Sequence, residues 1–279
     1  MRATIRFGIS GFLVVACMVT AGCRDDGSTD RTPDVAVTNS YLQCIVRDLW
    51  GRDAGILCLA PPGMCPGHFD LSPAQVTQLA GCRMLLLFDF QQSVERTLGR
   101  LRDKGLKTHL VQVPAGLCIP ETYLALCQQV SRVLAKEYPE RAGQFDQRLS
   151  VIRDRLEKLG SELKARVLES EAASAKVLVS SHQAGFVRWL GLEPVATFVG
   201  SDVETVSNID HCLKRAAGQS IRYIIANQQE GTALAEALAE RLRATAVVFS
   251  NFPQPADDGA GFDQLLRDNV RRLTEAVVR

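Results

Sequence analysis

Short apolar runs alternate with stretches of helical periodicity along most of this chain. In the first half the runs are DVAVT (34–38), AGILCLA (54–60), MLLLFD (84–89) and THLVQV (108–113). In the second half they are KVLVS (176–180), PVATF (194–198), IRYIIA (221–226) and TAVVFS (245–250). Strand-like runs separated by helices are the signature of parallel α/β architecture, here four strands and four. The helix signals fall between them. Ser72-Pro73-Ala74-Gln75 forms a capping box with proline at the first helical position, and Gly81 suits the exit. Pro120 and Glu121 open a second helix, with Tyr123, Cys127, Val130 and Leu134 on one face, and Thr232 to Arg243 and Phe262 to Val278 read as helices as well.

Between the halves the pattern changes. From Glu140 to Ser170 there is no proline and little glycine, and Leu149, Ile152, Leu156, Leu159 and Leu163 recur every three or four residues among charges. This is a long amphipathic helix. Only about two heptads are clean, short of the three or four that a free coiled coil needs, so it reads as a rigid connector packed across two lobes. The expected fold is α/β, two four-stranded parallel-sheet lobes joined by one long α-helix. Its segments are a first lobe at 34–138, the connector at 139–170 and a second lobe at 171–279.

The first residues stand apart. Arg2 and Arg6 precede an apolar run from Phe7 to Val19, and TAGC follows, ending at Cys23. A basic start, a short apolar stretch and small residues describe an export signal over residues 1–22. The ending resembles the bacterial lipobox, whose cysteine is lipidated, although Thr20 stands where leucine is usual. Plain signal cleavage with Cys23 free is the alternative. The polar stretch 23–33 then reads as a flexible tether. Composition is ordinary for a globular chain of 279 residues, and a net charge of +1 argues against nucleic acid as a partner, because phosphate binding needs a concentrated basic face. Setting Cys17 and Cys23 aside leaves seven of the nine cysteines. Seven is odd, so at least one cannot pair within the chain.

Four blocks of sequence resemble one family, the metal-binding lipoproteins of zinc and manganese ABC importers, solute-binding proteins of the ZnuA/TroA type. VTNSYLQCIVRDLWG resembles the family's opening strand and helix, and PPGMCPGHFDLSPAQVTQLAGC is similar to its PPGxDPHxFEPTPxD loop and following helix. SSHQAGFVRWLGLEPVATF and ANQQEGTALAEALAERLRATAVVFSNF are similar to its second-lobe motifs, and the order and spacing of all four blocks fit over roughly residues 34 to 279. The resemblance implies an exported, lipid-anchored, monomeric binding protein that faces the periplasm or the cell exterior. It would capture a metal ion, zinc before manganese or another transition metal, in the cleft between lobes and deliver it to an ABC permease. Reversible coordination needs no enzyme, and no catalytic motif is present.

The same resemblance places two ligands, His68 in the first-lobe loop and His182 after the first strand of the second lobe, where ligands bind in open α/β sheets. His109, inside a strand, and His211, inside a helix, read as structural. Two family ligands have no counterpart: Ala115 and Ser250 occupy the second and fourth positions. Cys65, in the loop of His68, and Cys118, near the Ala115 gap, could complete a Cys₂His₂ site suited to zinc. They could instead form a disulfide, or be packed thiols. Asp70, Asp257 and Asp258 are replacement acids that read more simply as solvated or capping residues. Two rival functions remain: a divergent lipoprotein that has lost metal and serves as a surface interaction protein, and a thiol-redox lipoprotein using Cys65 and Cys118.

Overall fold

The structure, a computed structural model, describes residues 33–60, 71–91, 98–114, 116–200, 202–254 and 260–277. The export signal, tether and Cys23, the loop 61–70 with Cys65, His68 and Asp70, and Ala115, Asp257 and Asp258 lie outside the described residues.

The first lobe holds β1 (Val35–Val37), β2 (Ile56–Cys58), β3 (Met84–Phe88) and β4 (Lys107–Val111) in the spatial order β2-β1-β3-β4. The second holds β5 (Lys176–Ser180), β6 (Glu193–Phe198), β7 (Ile221–Asn227) and β8 (Thr245–Phe249) in the equivalent order β6-β5-β7-β8. Every pairing is parallel. Both faces of each sheet are covered, which is why the strands read as continuous apolar runs rather than alternating ones. Along β3, Met84, Leu86 and Phe88 enter the central core, while Leu85 and Leu87 enter an outer core with Leu79, Leu98 and Leu101.

The helices form where the sequence signals them. In α1 (Ser40–Trp50) the Asn39 side chain caps the amide of Leu42. In α2 (Pro73–Leu79) the Ser72–Gln75 capping box closes in both directions. The short α3 (Gly99–Arg102) covers the outer face of the first sheet through Leu101. In α4 (Pro120–Glu137), Tyr123, Cys127, Val130 and Leu134 are all fully buried. The connector is α5 (Ala142–Leu168), and the second lobe adds α6 (Ala184–Trp189), α7 (Val206–Ala216), α8 (Ala233–Leu242) and α9 (Gly261–Thr274).

The stripe of α5 is buried, with Phe145, Ile152, Leu156, Leu159, Leu163 and Val167 packed into the central core and Leu149 at its margin. That core is continuous: it takes Val35, Phe88 and Tyr123 from the first lobe and Val179, Phe249 and Phe262 from the second. Tyr123 and Phe262 stack at 3.9 Å between centroids, a direct apolar contact between α4 and α9.

Beneath this stack lies a buried charge cluster. Arg155 on α5 pairs with Asp48 on α1 at 2.5 Å and, through Nε, with Asp263 on α9 at 3.3 Å. The Tyr123 hydroxyl donates to Asp48 at 2.9 Å. Burial raises both carboxyls, against the pull of the guanidinium. Removing one partner of such a cluster strands the other charges. Arg155→Leu is therefore expected to lower the unfolding free energy by about 3 kcal/mol, read in urea titrations.

A second cluster pins α4 to the strand edge. Glu137 accepts from Lys107 at 2.6 Å and faces Arg83 at 3.5 Å and His109 at 3.9 Å. The Lys107 hydrogen bond outweighs burial and holds the Glu137 carboxyl below its ordinary 4.5. A lowered carboxyl stabilises the fold above its ordinary value, and that contribution is lost as pH falls through the lowered value. Wild type should thus exceed Glu137→Gln in stability near neutral pH, by less than about 1 kcal/mol because the cations are half-exposed. The gap should close on acidification below 4.5.

Candidate functional site

The C-terminal ends of β5, β7 and β8 carry the polar residues of the second lobe. His182 follows β5 in a turn, with its side chain 60% exposed. Its Nδ1 lies 2.7 Å from Oε1 of Glu230, which ends the short turn Gln228–Glu230 after β7. The other Glu230 oxygen accepts from the Ser180 hydroxyl. The hydrogen bond that the ring donates to Glu230, opposed by desolvation, raises the His182 imidazole above its ordinary 6.5. Burial resists ionisation of Glu230, but hydrogen bonds from His182, Ser180 and Asn227 hold its carboxyl below 4.5. The pair is a carboxylate–imidazole dyad, with one ring nitrogen engaged and the ring open to solvent.

Deeper in, the second lobe carries amides rather than acids. Gln183 donates to Asn227 at 3.2 Å and to Asn251 at 3.0 Å. Gln229 bonds both the Ser250 hydroxyl and the Asn251 amide, and Asn269 bonds both the amide and the carbonyl of Ser250. The Ser250 hydroxyl donates to the Phe252 carbonyl at 3.2 Å. Ser250, at the fourth family position, is thus held in a buried network. The first lobe presents Thr38, Asn39 and Gln91, hydrogen-bonded to one another.

Cys118, a candidate ligand, is placed in that network. Its thiol is free and fully buried, and it donates to the Ser250 carbonyl at 3.2 Å and to Asn251 Oδ1 at 3.3 Å. Burial pushes the thiol well above its ordinary range. The contact is possible because two glycines let the backbones touch. A Cβ on Gly185 would lie 3.4 Å from Gly116 Cα, and Gly116 has a φ of +83° that side chains rarely adopt. Among the described residues no group of three or more His, Cys, Asp or Glu side chains could hold a metal ion. His109 lies in β4 beside Glu137 and His211 in α7. The sequence reading missed Glu230; its signal was an acid one residue before Gly231 at the end of the β7 run.

The family described as "Zinc-uptake complex component A periplasmic", ZnuA, matches residues 118–276 of the chain, more than half of it. The chain belongs to this family. No curated protein sequence matches it. Among solved structures, the crystal structure of ZnuA is 18% identical, covers 87% of this chain and 98% of its own, and superposes with a TM-score of 0.70. The SBP FpvC from Pseudomonas aeruginosa in complex with Mn²⁺ is 15% identical, with coverage of 86% and 96% and a TM-score of 0.71. The Mn-bound periplasmic metal binding protein from Candidatus Liberibacter asiaticus is 14% identical, with coverage of 86% and 98% and a TM-score of 0.70. These likenesses establish the fold: two lobes, each with a four-stranded parallel sheet, and a joining helix.

The Cys118 geometry gives a direct expectation. Cys118→Ala should lower the unfolding free energy by about 1 kcal/mol, since it removes a buried donor from carbonyls that keep other partners. The native thiol should resist alkylation until the chain unfolds, as mass spectrometry of labelled protein would record.

Proposed function

We propose that this chain captures a divalent transition metal ion outside the cytoplasm, zinc before others, and passes it to the permease of an ABC importer. A ZnuA-family fold supports a transport role. The observation that carries the reading is the exposed His182 imidazole, braced by Glu230 at the strand ends of the second lobe. In this reading His68, from the loop after the second strand run, supplies the second imidazole, and Cys65, three residues before it in sequence, a thiolate. Neutral imidazole and thiolate donors favour zinc over manganese. The metal is cargo, bound and released without a covalent step. In this reading residues 1–22 are an export signal, 23–33 a tether, and Cys23 a lipid anchor that keeps a monomer at the membrane surface.

Cys118 stands differently. To coordinate, it would have to leave Ser250 and Asn251 and lose a proton that burial holds in place. We therefore assign it to packing between the lobes. The thiol-redox rival is weakened further, because the thiols of Cys44, Cys58, Cys82, Cys118, Cys127 and Cys212 are all free and all raised above their ordinary range. The surface-interaction rival gains one observation: Ser250, where the family places an acid, is committed to the buried amide network.

Thermal melts with and without zinc decide among these. Zinc at a hundredfold excess over Kd should stabilise wild type by about 2.7 kcal/mol. His182→Ala and His68→Ala should each abolish that rise, and Cys118→Ala should retain it. A full zinc-induced rise in both histidine variants would sink the reading, and no rise in wild type would favour the interaction protein.

A further inference from the structure

We propose that Glu230 is a positioning residue that fixes the proton of His182 on Nδ1 and so presents Nε2 to the metal. The proposal rests on the reading of His182 as a ligand.

The geometry is a closed ring of hydrogen bonds. The His182 amide donates to Ser180 Oγ at 3.3 Å, the Ser180 hydroxyl donates to Glu230 Oε2, and Glu230 Oε1 lies 2.7 Å from His182 Nδ1. An ionised carboxylate can only accept, so Nδ1 must carry the hydrogen whether the ring is neutral or charged. The Ser180 hydroxyl donating to its other oxygen agrees with the ionised form. Both oxygens of Glu230 take donors of this ring of bonds, which holds the carboxylate against the imidazole. Neutral imidazole in water prefers its proton on Nε2, the nitrogen that must be bare to coordinate here. Glu230 reverses that preference before metal arrives and fixes the ring plane, as outer-shell carboxylates do for metal-bound histidines.

The fold holds Glu230 in place from behind. A Cβ on Gly200, after β6, would sit 2.7 Å from the Glu230 carbonyl oxygen and 2.8 Å from its Cβ. Only glycine lets the β6 and β7 loops approach this closely. The side chain of Glu230 is 15% exposed, so it is largely shielded while the His182 ring stays open.

The tautomer can be read directly. Long-range ¹⁵N–¹H spectra of metal-free, histidine-labelled protein, taken above the titration of the ring, should show Nδ1–H for His182 in wild type. Glu230→Ala should return it to Nε2–H and weaken zinc binding about 10- to 100-fold in chelator competition. Glu230→Asp should recover part of both effects. Gly200→Ala should reproduce both with the dyad residues intact, because it displaces the Glu230 backbone. An Nε2–H ring in wild type, or an unchanged tautomer and unchanged zinc affinity in Glu230→Ala, would overturn the assignment. An Nδ1–H ring in a protein that takes no zinc would instead remove the metal reading while leaving the Glu230 assignment in force.

Discussion

The guanidinium of Arg155 sets the constraint on which the rest of the architecture depends. It belongs to the connector, and its two carboxylate partners belong to the first helix of one lobe and the last helix of the other. Two buried acids sharing one cation are costly to desolvate, and the arrangement is tolerable only when all three helices are in register. The apolar stripe of α5 would tolerate small slips; the charge cluster would not. Packing supplies the bulk of the stability, and the cluster selects one relative placement of α1, α5 and α9. The Tyr123–Phe262 stack above it then seals α4 to α9.

At the strand ends of both sheets the polar residues face a common problem. Backbone groups at strand ends need partners away from water. The chain meets the need with side-chain amides: Gln91 accepts from the Phe88 amide and Asn39 from the Leu42 amide in the first lobe, and Asn269 bonds the amide and carbonyl of Ser250 and Gln229 the Asn251 amide in the second. Neutral groups of this kind can be buried fully at little electrostatic cost. The charged dyad of His182 and Glu230 is left toward solvent, where an ion could reach it.

The sequence made the fold legible because its signals were local and redundant. Each strand run was bounded within one or two residues, Ser72 and Gln75 announced their capping box, and the stripe from Ile152 to Leu163 announced a helix covered along one side. The site was legible only in part. His182 could be placed because a motif fixes its position at a strand end. Cys118 could not, because nothing local distinguishes a thiol turned to a cleft from one turned to a lobe interface 132 residues away in sequence. Glu230 escaped for the same reason: its partners, at 48 and 50 residues' separation, lie across two helices and two strands. His68 and Cys65 rest on the motif alone.

The central core runs without a break from the first sheet through the connector to the second. A chain with one shared interior should unfold as a single cooperative unit rather than lobe by lobe. Neither half retains a complete apolar interior when parted from the other. The relative placement of the two binding walls is thus fixed in the folding transition itself, and little ordering remains for the moment of capture. Any change that loosens the interior anywhere along α5 should therefore register as a change in ligand affinity, even far from the groups that touch the ligand.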